Sequence, residues 1–158
     1  MFSKCHQKNK FLKLLLILIN IFLIKKNILL TIPYFEKPVV SIIIPVHNNF
    51  RYTYNCIFSI LLTEPIIPYE IIIGNDMSID KTKIIEKYIR NIIVHNNNDN
   101  YKYNFLMNCN KAAKLSKGKY ILFLNNDTKV QKEWLTALIK LIESDEKIGM
   151  VGSKLIIS

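Results

Sequence analysis

The pattern of apolar and polar positions changes near residue 38. Beyond it, short β-branched runs alternate with segments whose apolar residues recur at helical spacing. The runs predict strands at 39–44, 69–73, 92–95 and 120–124, with a final strand within 148–157. The helical spacing predicts helices at 51–62, 80–90, 104–116 and 131–144. Strand–helix alternation on short connections predicts a three-layer α/β domain with a mostly parallel sheet, residues 38–158.

The first 37 residues form a separate predicted unit. The run at 11–24 is apolar apart from two residues, and 28–32 continue it beyond two lysines. A membrane-spanning helix needs about 20 apolar residues. Residues 11–32 therefore predict a membrane anchor or a helix that lies on a membrane surface. The alternatives are a poorly ordered or mis-started N-terminus, or a helix packed on a partner.

The net charge of +10 is concentrated in the first unit. Residues 1–37 hold seven Lys and one Glu, and only two of the 22 basic residues are Arg. Nucleic-acid-binding proteins more often cluster Arg among aromatic residues, so we expect no nucleic-acid partner. Cys5, Cys56 and Cys109 form no C-x-x-C pair, which argues against a disulfide scaffold or a zinc ribbon. A cytoplasmic location follows, with membrane association through the first unit.

Polar residues follow three of the predicted strands. The carboxyl ends of parallel strands meet at one edge of a sheet, and ligands bind there in such folds. The three clusters are His47, Asn48 and Asn49; Asn75, Asp76 and Ser78; and Asn125, Asn126 and Asp127. Their convergence on one edge predicts a binding site for a polar ligand.

Several common sites are excluded by spacing. The four glycines fit neither a dinucleotide-binding motif nor a P-loop, no G-x-S-x-G motif is present, and the three His are scattered. Carboxylates and amides remain as candidate groups. Mg²⁺ or Mn²⁺ is held by one or two carboxylates together with substrate phosphates and water, and Asp127 fits that role. Asp127 as an ordinary N-cap of the helix at 131–144 is the structural alternative.

Several ordered blocks of the sequence carry a resemblance to a known family. They comprise Val40–Asn48, Tyr69–Thr82, Asn108–Ala113, Gly118–Thr128, Trp134–Leu135 and Ile148–Ser153. Together they resemble the opening strand, the second-strand motif, the following helix and the metal-binding turn of family 2 glycosyltransferases, which have the GT-A fold. The resemblance covers about residues 38–157.

The resemblance implies transfer of a sugar from a nucleotide diphosphate sugar, a UDP- or dTDP-sugar, to a glycan or lipid-linked acceptor in polysaccharide assembly. It implies Mg²⁺ or Mn²⁺ as cofactor, with Asp127 as the metal ligand. The implied nucleotide-sugar-binding residues are Pro45, Val46, His47, Asn48, Asn75, Asp76, Ser78, Asn108, Asn125, Asn126 and Asp127.

Four departures from the family pattern shape the expectation. Asn75 stands where an Asp is common in the family. Asn125 replaces the first carboxylate of the D-x-D motif, which leaves one formal metal ligand. Asn104 stands where the family often has Gly, and Asn tolerates a positive φ there. The general base normally lies in the second half of the domain, whereas this sequence ends at Ser158, just after the fifth predicted strand.

No residue can therefore be assigned as the base, and other functions stay open. The chain is an enzyme whose domain a second chain completes, or a catalytically inactive fragment, or a nucleotide-sugar-binding partner subunit. A membrane-anchored interaction protein and a nucleotidyltransferase also stay open as alternatives.

Overall fold

The computed structural model describes residues 29–63, 65–99, 101 and 103–153. The strands are β1 Leu30–Thr31, β2 Val40–Val46, β3 Tyr69–Asn75, β4 Ile89–Arg90, β5 Ile93–Asn96 and β6 Tyr120–Phe123. The helices are α1 Phe50–Leu62, α2 Phe105–Ala113 and α3 Trp134–Ile142, with a 3₁₀ helix at Lys81–Lys87. These described residues alternate strand and helix, as the sequence pattern predicts.

The main sheet has four parallel strands in the order β5-β3-β2-β6. All seven residues of β2 are buried, because β2 lies between two strands and both of its faces are covered. Fully buried parallel strands read as continuous apolar runs rather than as alternating ones. This explains the run Val40–Ile44 and confirms the predicted parallel α/β fold.

Pro45 occupies a central strand without losing a ladder hydrogen bond. The Ile43 carbonyl accepts from Leu124 N on the β6 side, whereas the Val46 carbonyl accepts from Asp76 N on the β3 side. Pro45 therefore faces the β6 side, like Ile43. The β2–β6 pairing ends at Ile43 opposite Phe123, so no strand stands beside the missing N–H of the proline.

Helices cover both faces of the sheet and make three layers. The main core lies on one face, where Ile57 of α1 and Leu135 of α3 join the Ile42 and Ile44 side chains of β2. A smaller cluster lies on the opposite face, where Ala112 of α2 packs with Ile43 and Ile72. Alternate strand residues point to opposite faces, so one strand supplies both cores.

The helix predicted at 80–90 is wrong in type and length. The chain forms a 3₁₀ helix over Lys81–Lys87, with non-helical dihedral angles at Ile84 (φ −123°, ψ 32°). Ile89–Arg90 then pairs in parallel with Leu30–Thr31 as a two-stranded sheet. Burial of Ile89 in the main core outweighs the weak helical preference of this short segment.

The final strand predicted within 148–157 is absent over 148–153. Gly149 and Gly152 have no neighbouring atoms within 4 Å of a Cβ position, so this stretch lacks the packing that stabilises a strand. Residues 154–157 of that prediction lie outside the described residues. The helices predicted at 104–116 and 131–144 are confirmed with shorter bounds, as α2 and α3.

Part of the predicted N-terminal unit packs on the domain. Leu30 and Ile32 are buried in the main core, and the Asn91 side chain donates to the Ile32 carbonyl (2.9 Å). The boundary at residue 37 stays a prediction. Most of the predicted membrane segment 11–32 lies outside the described residues. Within the part of the chain that the structure describes, no helix is long and apolar enough to cross a bilayer.

Candidate functional site

The loops that follow β2 and β3 are joined into one unit. The His47 Nδ1 atom lies 2.6 Å from the Asp76 carbonyl oxygen. The Asn48 backbone N–H donates to Ser78 Oγ (2.7 Å), and the Asn48 side-chain oxygen accepts from Ile79 N (2.8 Å). Left-handed dihedral angles at Asn48 (φ 59°) allow this turn, and Asn tolerates them better than most residues.

The hydrogen bonds assign the tautomer of His47. A carbonyl oxygen only accepts, so the proton of the neutral ring sits on Nδ1 and is donated to Asp76. The Nε2 atom is then the acceptor for the Asn48 side-chain amide at 3.2 Å. The ring is solvent-exposed but held on both sides. His47 therefore forms a fixed wall at the open edge of the sheet.

Asp76 joins the end of β5 to the same edge. Its side chain is 4% exposed, and Oδ1 accepts from Asn97 Nδ2 (2.7 Å) and from Tyr103 N (2.9 Å). Hydrogen bonds to a carboxylate compensate for the loss of water around a buried charge. The Asn97 N–H also donates to the Asn75 carbonyl (2.9 Å). Both donors to the Asp76 carboxylate bond to Oδ1, and no hydrogen bond from the described residues engages its second oxygen.

Asn75 shapes the turn between β3 and Ser78. Its side-chain oxygen accepts from Ser78 N (3.3 Å), and its amide donates to Asn96 Oδ1 (2.8 Å). Asn75 and Ser78 are both buried. Their polar atoms hold the loop, while the neighbouring His47 and Asn48 remain accessible.

The turn after β6 is anchored on α1. The Asn126 amide donates to Thr53 Oγ1 (3.1 Å), and the Cys56 thiol donates to the Asn125 carbonyl (3.6 Å). Burial and then the nearby Asp127 carboxylate raise the pKa of the Cys56 thiol to about 12. The side chains of Asn125 and Asp127 point into solvent, since both are exposed.

Asp127 is not a helix cap. Helix α3 begins at Trp134, and its N-cap is Glu133 with no side-chain hydrogen bond. No hydrogen bond from the described residues engages the Asp127 carboxylate. The structural alternative for Asp127 is therefore wrong, and the carboxylate is free to bind a ligand.

The groups around Asp127 fit a hard divalent cation. One carboxylate and the amide oxygens of Asn125 and Asn126 are the oxygen ligands that Mg²⁺ and Mn²⁺ prefer. The described residues contain no group of three His, Cys, Asp or Glu side chains that would hold a metal alone. This donor set fits an ion that keeps several waters and shares substrate phosphates, and it does not fit a structural zinc.

Comparison with known proteins identifies the family. The model of glycosyl transferase family 2 matches residues 41–158. The chain belongs to this family. Among the solved structures that match, S. aureus TarS (residues 1–349) aligns with a TM-score of 0.53 and 23% sequence identity. The alignment covers 66% of this chain and 32% of the TarS chain, which supports the fold. None of the curated proteins searched matches this chain.

Three residues predicted from the family motifs are buried rather than exposed at the open edge. Pro45 and Val46 are the last two residues of β2, and both are buried in the sheet. Asn108 is 3% exposed on α2, and its amide donates to the Gly74 carbonyl (2.8 Å). Their assignment as ligand contacts stays a prediction.

Asn104 does not adopt the positive φ expected for the family's glycine position. Its φ is −80°, and its side-chain oxygen accepts from Met107 N (2.8 Å). Asn104 is therefore an ordinary N-cap of α2. The expectation of a left-handed turn is wrong because an extended residue with a capping side chain begins the helix equally well.

Sequence reasoning missed Asn97, Tyr103 and Thr53. Asn97 directly follows β5, so it stands at the carboxyl end of a fourth strand of the same sheet. Applying the strand-end argument to that strand would have found it. Tyr103 and Thr53 act through a backbone N–H and a short hydroxyl, and neither group has a sequence signal.

Proposed function

We propose that the carboxyl edge of the sheet binds a nucleotide diphosphate sugar, a UDP- or dTDP-sugar, for transfer to a glycan or lipid-linked acceptor. The observation that carries the proposal is the split between buried and exposed polar groups. Asn75, Asp76 and Ser78 are buried and hydrogen-bonded to the loops after β2 and β5. His47 and Asp127 are exposed at the carboxyl ends of β2 and β6. A site held in this way is fixed before its ligand arrives, which reduces the entropy lost on binding.

The nucleoside is proposed to bind between the loops after β2 and β3. The second oxygen of Asp76 would accept from an N–H of a pyrimidine base or from a ribose hydroxyl. The His47 ring offers a flat surface, and its orientation is fixed by the Asp76 carbonyl at 2.6 Å. A planar base packs well on such a ring.

The diphosphate is proposed to lie toward the turn after β6. Asp127 and Asn125 are exposed there and would hold Mg²⁺ or Mn²⁺ together with the phosphate oxygens. A bound divalent ion neutralises the charge that develops on a diphosphate leaving group. Thr53 and Cys56 fix the turn that would hold the ion, so the protein would determine where the ion lies.

A nucleotide-sugar-binding partner subunit without activity of its own is the second candidate. Asp127 is the exposed carboxylate at the turn after β6, and one carboxylate cannot serve both as metal ligand and as general base. A second chain that completes the domain would supply the base in this case.

Thermal unfolding of the full chain tests donor binding. The chain is heated with UDP, dTDP, GDP or ADP, each with and without Mn²⁺. A ligand at 100 times its dissociation constant stabilises by about 2.7 kcal/mol, or ~5–10 °C for a chain of this length. We expect a metal-dependent rise with UDP or dTDP, and its loss in Asp127→Ala.

Glu146→Ala is the matched control, because it removes one exposed carboxylate that lies beyond α3 in the chain and outside the loops after β2, β3 and β6. It should respond to nucleotide like the original protein. A melting temperature that no nucleotide changes would refute donor binding. Equal losses in the two variants would refute the assignment of Asp127. Added acceptor and a UDP-sugar then separate the two candidates, because only the enzyme releases UDP.

A further inference from the structure

Asn97 is a buried polar residue that contacts no ligand in the proposed function. It directly follows β5 and is 8% exposed. Its backbone N–H donates to the Asn75 carbonyl (2.9 Å) at the end of β3, so the sheet holds its backbone in place. Its side chain lies beside the carboxylate of Asp76.

The hydrogen bonds of the Asn97 side chain assign the orientation of its amide. The Nδ2 group donates to Asp76 Oδ1 (2.7 Å) and to the Tyr101 carbonyl (2.9 Å), and the side-chain oxygen accepts from Asp99 N (2.9 Å). An amide turned by half a circle would place its oxygen against two acceptors and its N–H groups against a donor. The group that faces Asp76 is therefore a donor.

This amide and one backbone group bond to the same oxygen of Asp76. The Tyr103 N–H also donates to Asp76 Oδ1 (2.9 Å), and in the described part of the chain no further hydrogen bond reaches this carboxylate. Two donors on one oxygen fix the plane of the carboxylate and leave Oδ2 as its remaining acceptor. Both donors are neutral groups, so they compensate for burial of the charge without cancelling it.

The same side chain joins the carboxylate to the chain that follows β5. Its hydrogen bonds to Tyr101 and Asp99 tie this part of the chain together, and the Tyr103 hydroxyl donates to Asp99 Oδ2 (2.6 Å). The position of the Asp76 carboxylate therefore depends on residues that come more than twenty positions later in the sequence.

We propose that Asn97 is a positioning residue for the nucleotide. It holds the Asp76 carboxylate so that Oδ2 faces the nucleoside as an acceptor, and its neutral amide leaves the negative charge intact. This proposal rests on the proposed function, in which Asp76 binds the nucleoside. Asn97 itself contacts no substrate, so its effect on binding passes through Asp76.

The test measures the dissociation constant of UDP with Mg²⁺, by titration calorimetry of the full chain at about pH 9 and about pH 5.5. The same titration with dTDP replaces it where only dTDP stabilises the chain. Each variant is compared with the original chain at the same pH, so that titration of the nucleotide itself cancels. The quantity of interest is the ratio of the two dissociation constants.

Asn97→Asp replaces the donor with a carboxyl group in the position that Nδ2 occupies, 2.7 Å from Asp76 Oδ1. Two carboxylates this close share a proton rather than both ionising, until the pH is high enough to remove it. At about pH 9 the variant should bind the nucleotide about 10-fold more weakly, because a hydrogen bond to a charged group is lost. At about pH 5.5 the introduced carboxyl is protonated and donates to Asp76, so the ratio should return toward one.

Asn98→Asp is the matched control. Asn98 is the next residue and is exposed, and no hydrogen bond from the described residues engages its side chain, so this change adds the same charge without removing a donor from Asp76. Its ratio should stay near one at both pH values. Asn97→Leu removes the donor without adding a charge, and should weaken binding about 10-fold at both pH values.

Two results would overturn the proposal. One is a ratio for Asn97→Asp that does not change with pH or that equals the ratio for Asn98→Asp. The other is a lower melting temperature of both Asn97 variants with unchanged nucleotide binding, since Asn97 would then only stabilise the loop. An original chain that responds to none of UDP, dTDP, GDP and ADP would refute donor binding itself, whereas normal binding by the Asn97 variants refutes only the role of Asn97.

Discussion

Gly118 is the position where the structure allows a single methyl group the least room. A Cβ added there would lie 2.6 Å from the Ser41 backbone N and 2.8 Å from the Val40 carbonyl carbon. Ordinary contact begins at 3.4 Å, so the backbone of β2 or of the turn must move by about 0.8 Å. The obstacle is backbone in a buried central strand, which cannot rotate away.

The same movement breaks a hydrogen-bond cluster. Ser41 Oγ donates to Glu70 Oε1 (2.6 Å) and accepts from Gly118 N (2.9 Å), while Lys117 N donates to the same Glu70 oxygen (2.7 Å). Overpacking costs about 1–3 kcal/mol, and one lost hydrogen bond adds about 0.5–1.5 kcal/mol. Gly118→Ala should therefore lower the free energy of unfolding by about 2–4 kcal/mol, or ~5–15 °C in melting temperature.

Urea and thermal unfolding followed by circular dichroism measure this loss. Gly149→Ala and Gly152→Ala are the controls, because neither Cβ has a neighbour within 4 Å. They should change the free energy by less than about 1 kcal/mol, with a stabilising sign. Ser41→Ala should not rescue Gly118→Ala, since it removes only the Ser41 Oγ contact at 2.9 Å and the two nearest obstructing atoms are backbone. A Gly118→Ala melting temperature within about 2 °C of the controls would refute the reasoning.

Two further outcomes follow from backbone and thiol geometry. Glu133 is the N-cap of α3 and has a φ of 63°, and a left-handed conformation costs a non-glycine residue about 1–2 kcal/mol. Glu133→Gly should therefore raise the melting temperature, whereas the control Glu146→Gly should lower it. A lower melting temperature of the Glu133→Gly variant would contradict this. Folding raises the pKa of the Cys56 thiol from 9.0 to about 12, so the unfolded chain loses this proton at a lower pH than the folded chain. The free energy of unfolding should therefore fall as the pH rises from 9 toward 12, by up to about 4 kcal/mol. Cys56→Ser keeps a donor for the Asn125 carbonyl and should flatten this decline in urea unfolding at pH 8 and pH 11; an unchanged slope would contradict the assignment.

The sequence predicts well those strands and helices whose burial determines the spacing of their own apolar residues. β2 and β3 are buried on both faces, so their runs of isoleucine are unmistakable. α1, α2 and α3 each present one apolar face to the sheet. In each of these elements the local pattern of apolar residues matches the side chains that are buried, so the pattern alone predicts the element.

The parts that failed depend on partners distant in sequence. Ile84, Ile85 and Ile89 recur at helical spacing, but Ile89 pairs with Leu30, 59 positions earlier. No local pattern records that pairing. The two-residue strands β1 and β4 are also too short to show any period.

The candidate site was also predictable only in part. Strand ends placed Asn75, Asp76 and the turn at Asn125–Asp127 on one edge because topology alone determines that edge. Which of these side chains are free was not predictable. Asp76 gives one oxygen to Asn97 and Tyr103, and this depends on how the loop after β5 returns to the sheet.

Measuring stability and nucleotide binding separately distinguishes two effects of mutation that an activity assay alone would not distinguish. The Asp76 carboxylate joins the Asn97 side chain and the Tyr103 backbone to the end of β3, so its loss should reduce both the free energy of unfolding and nucleotide binding. Asp127 has no hydrogen bond from the described residues, so its loss should reduce binding and leave stability unchanged. A stable Asp127 variant that no longer responds to nucleotide therefore identifies a ligand-binding carboxylate, whereas an unstable one would make this turn part of the scaffold.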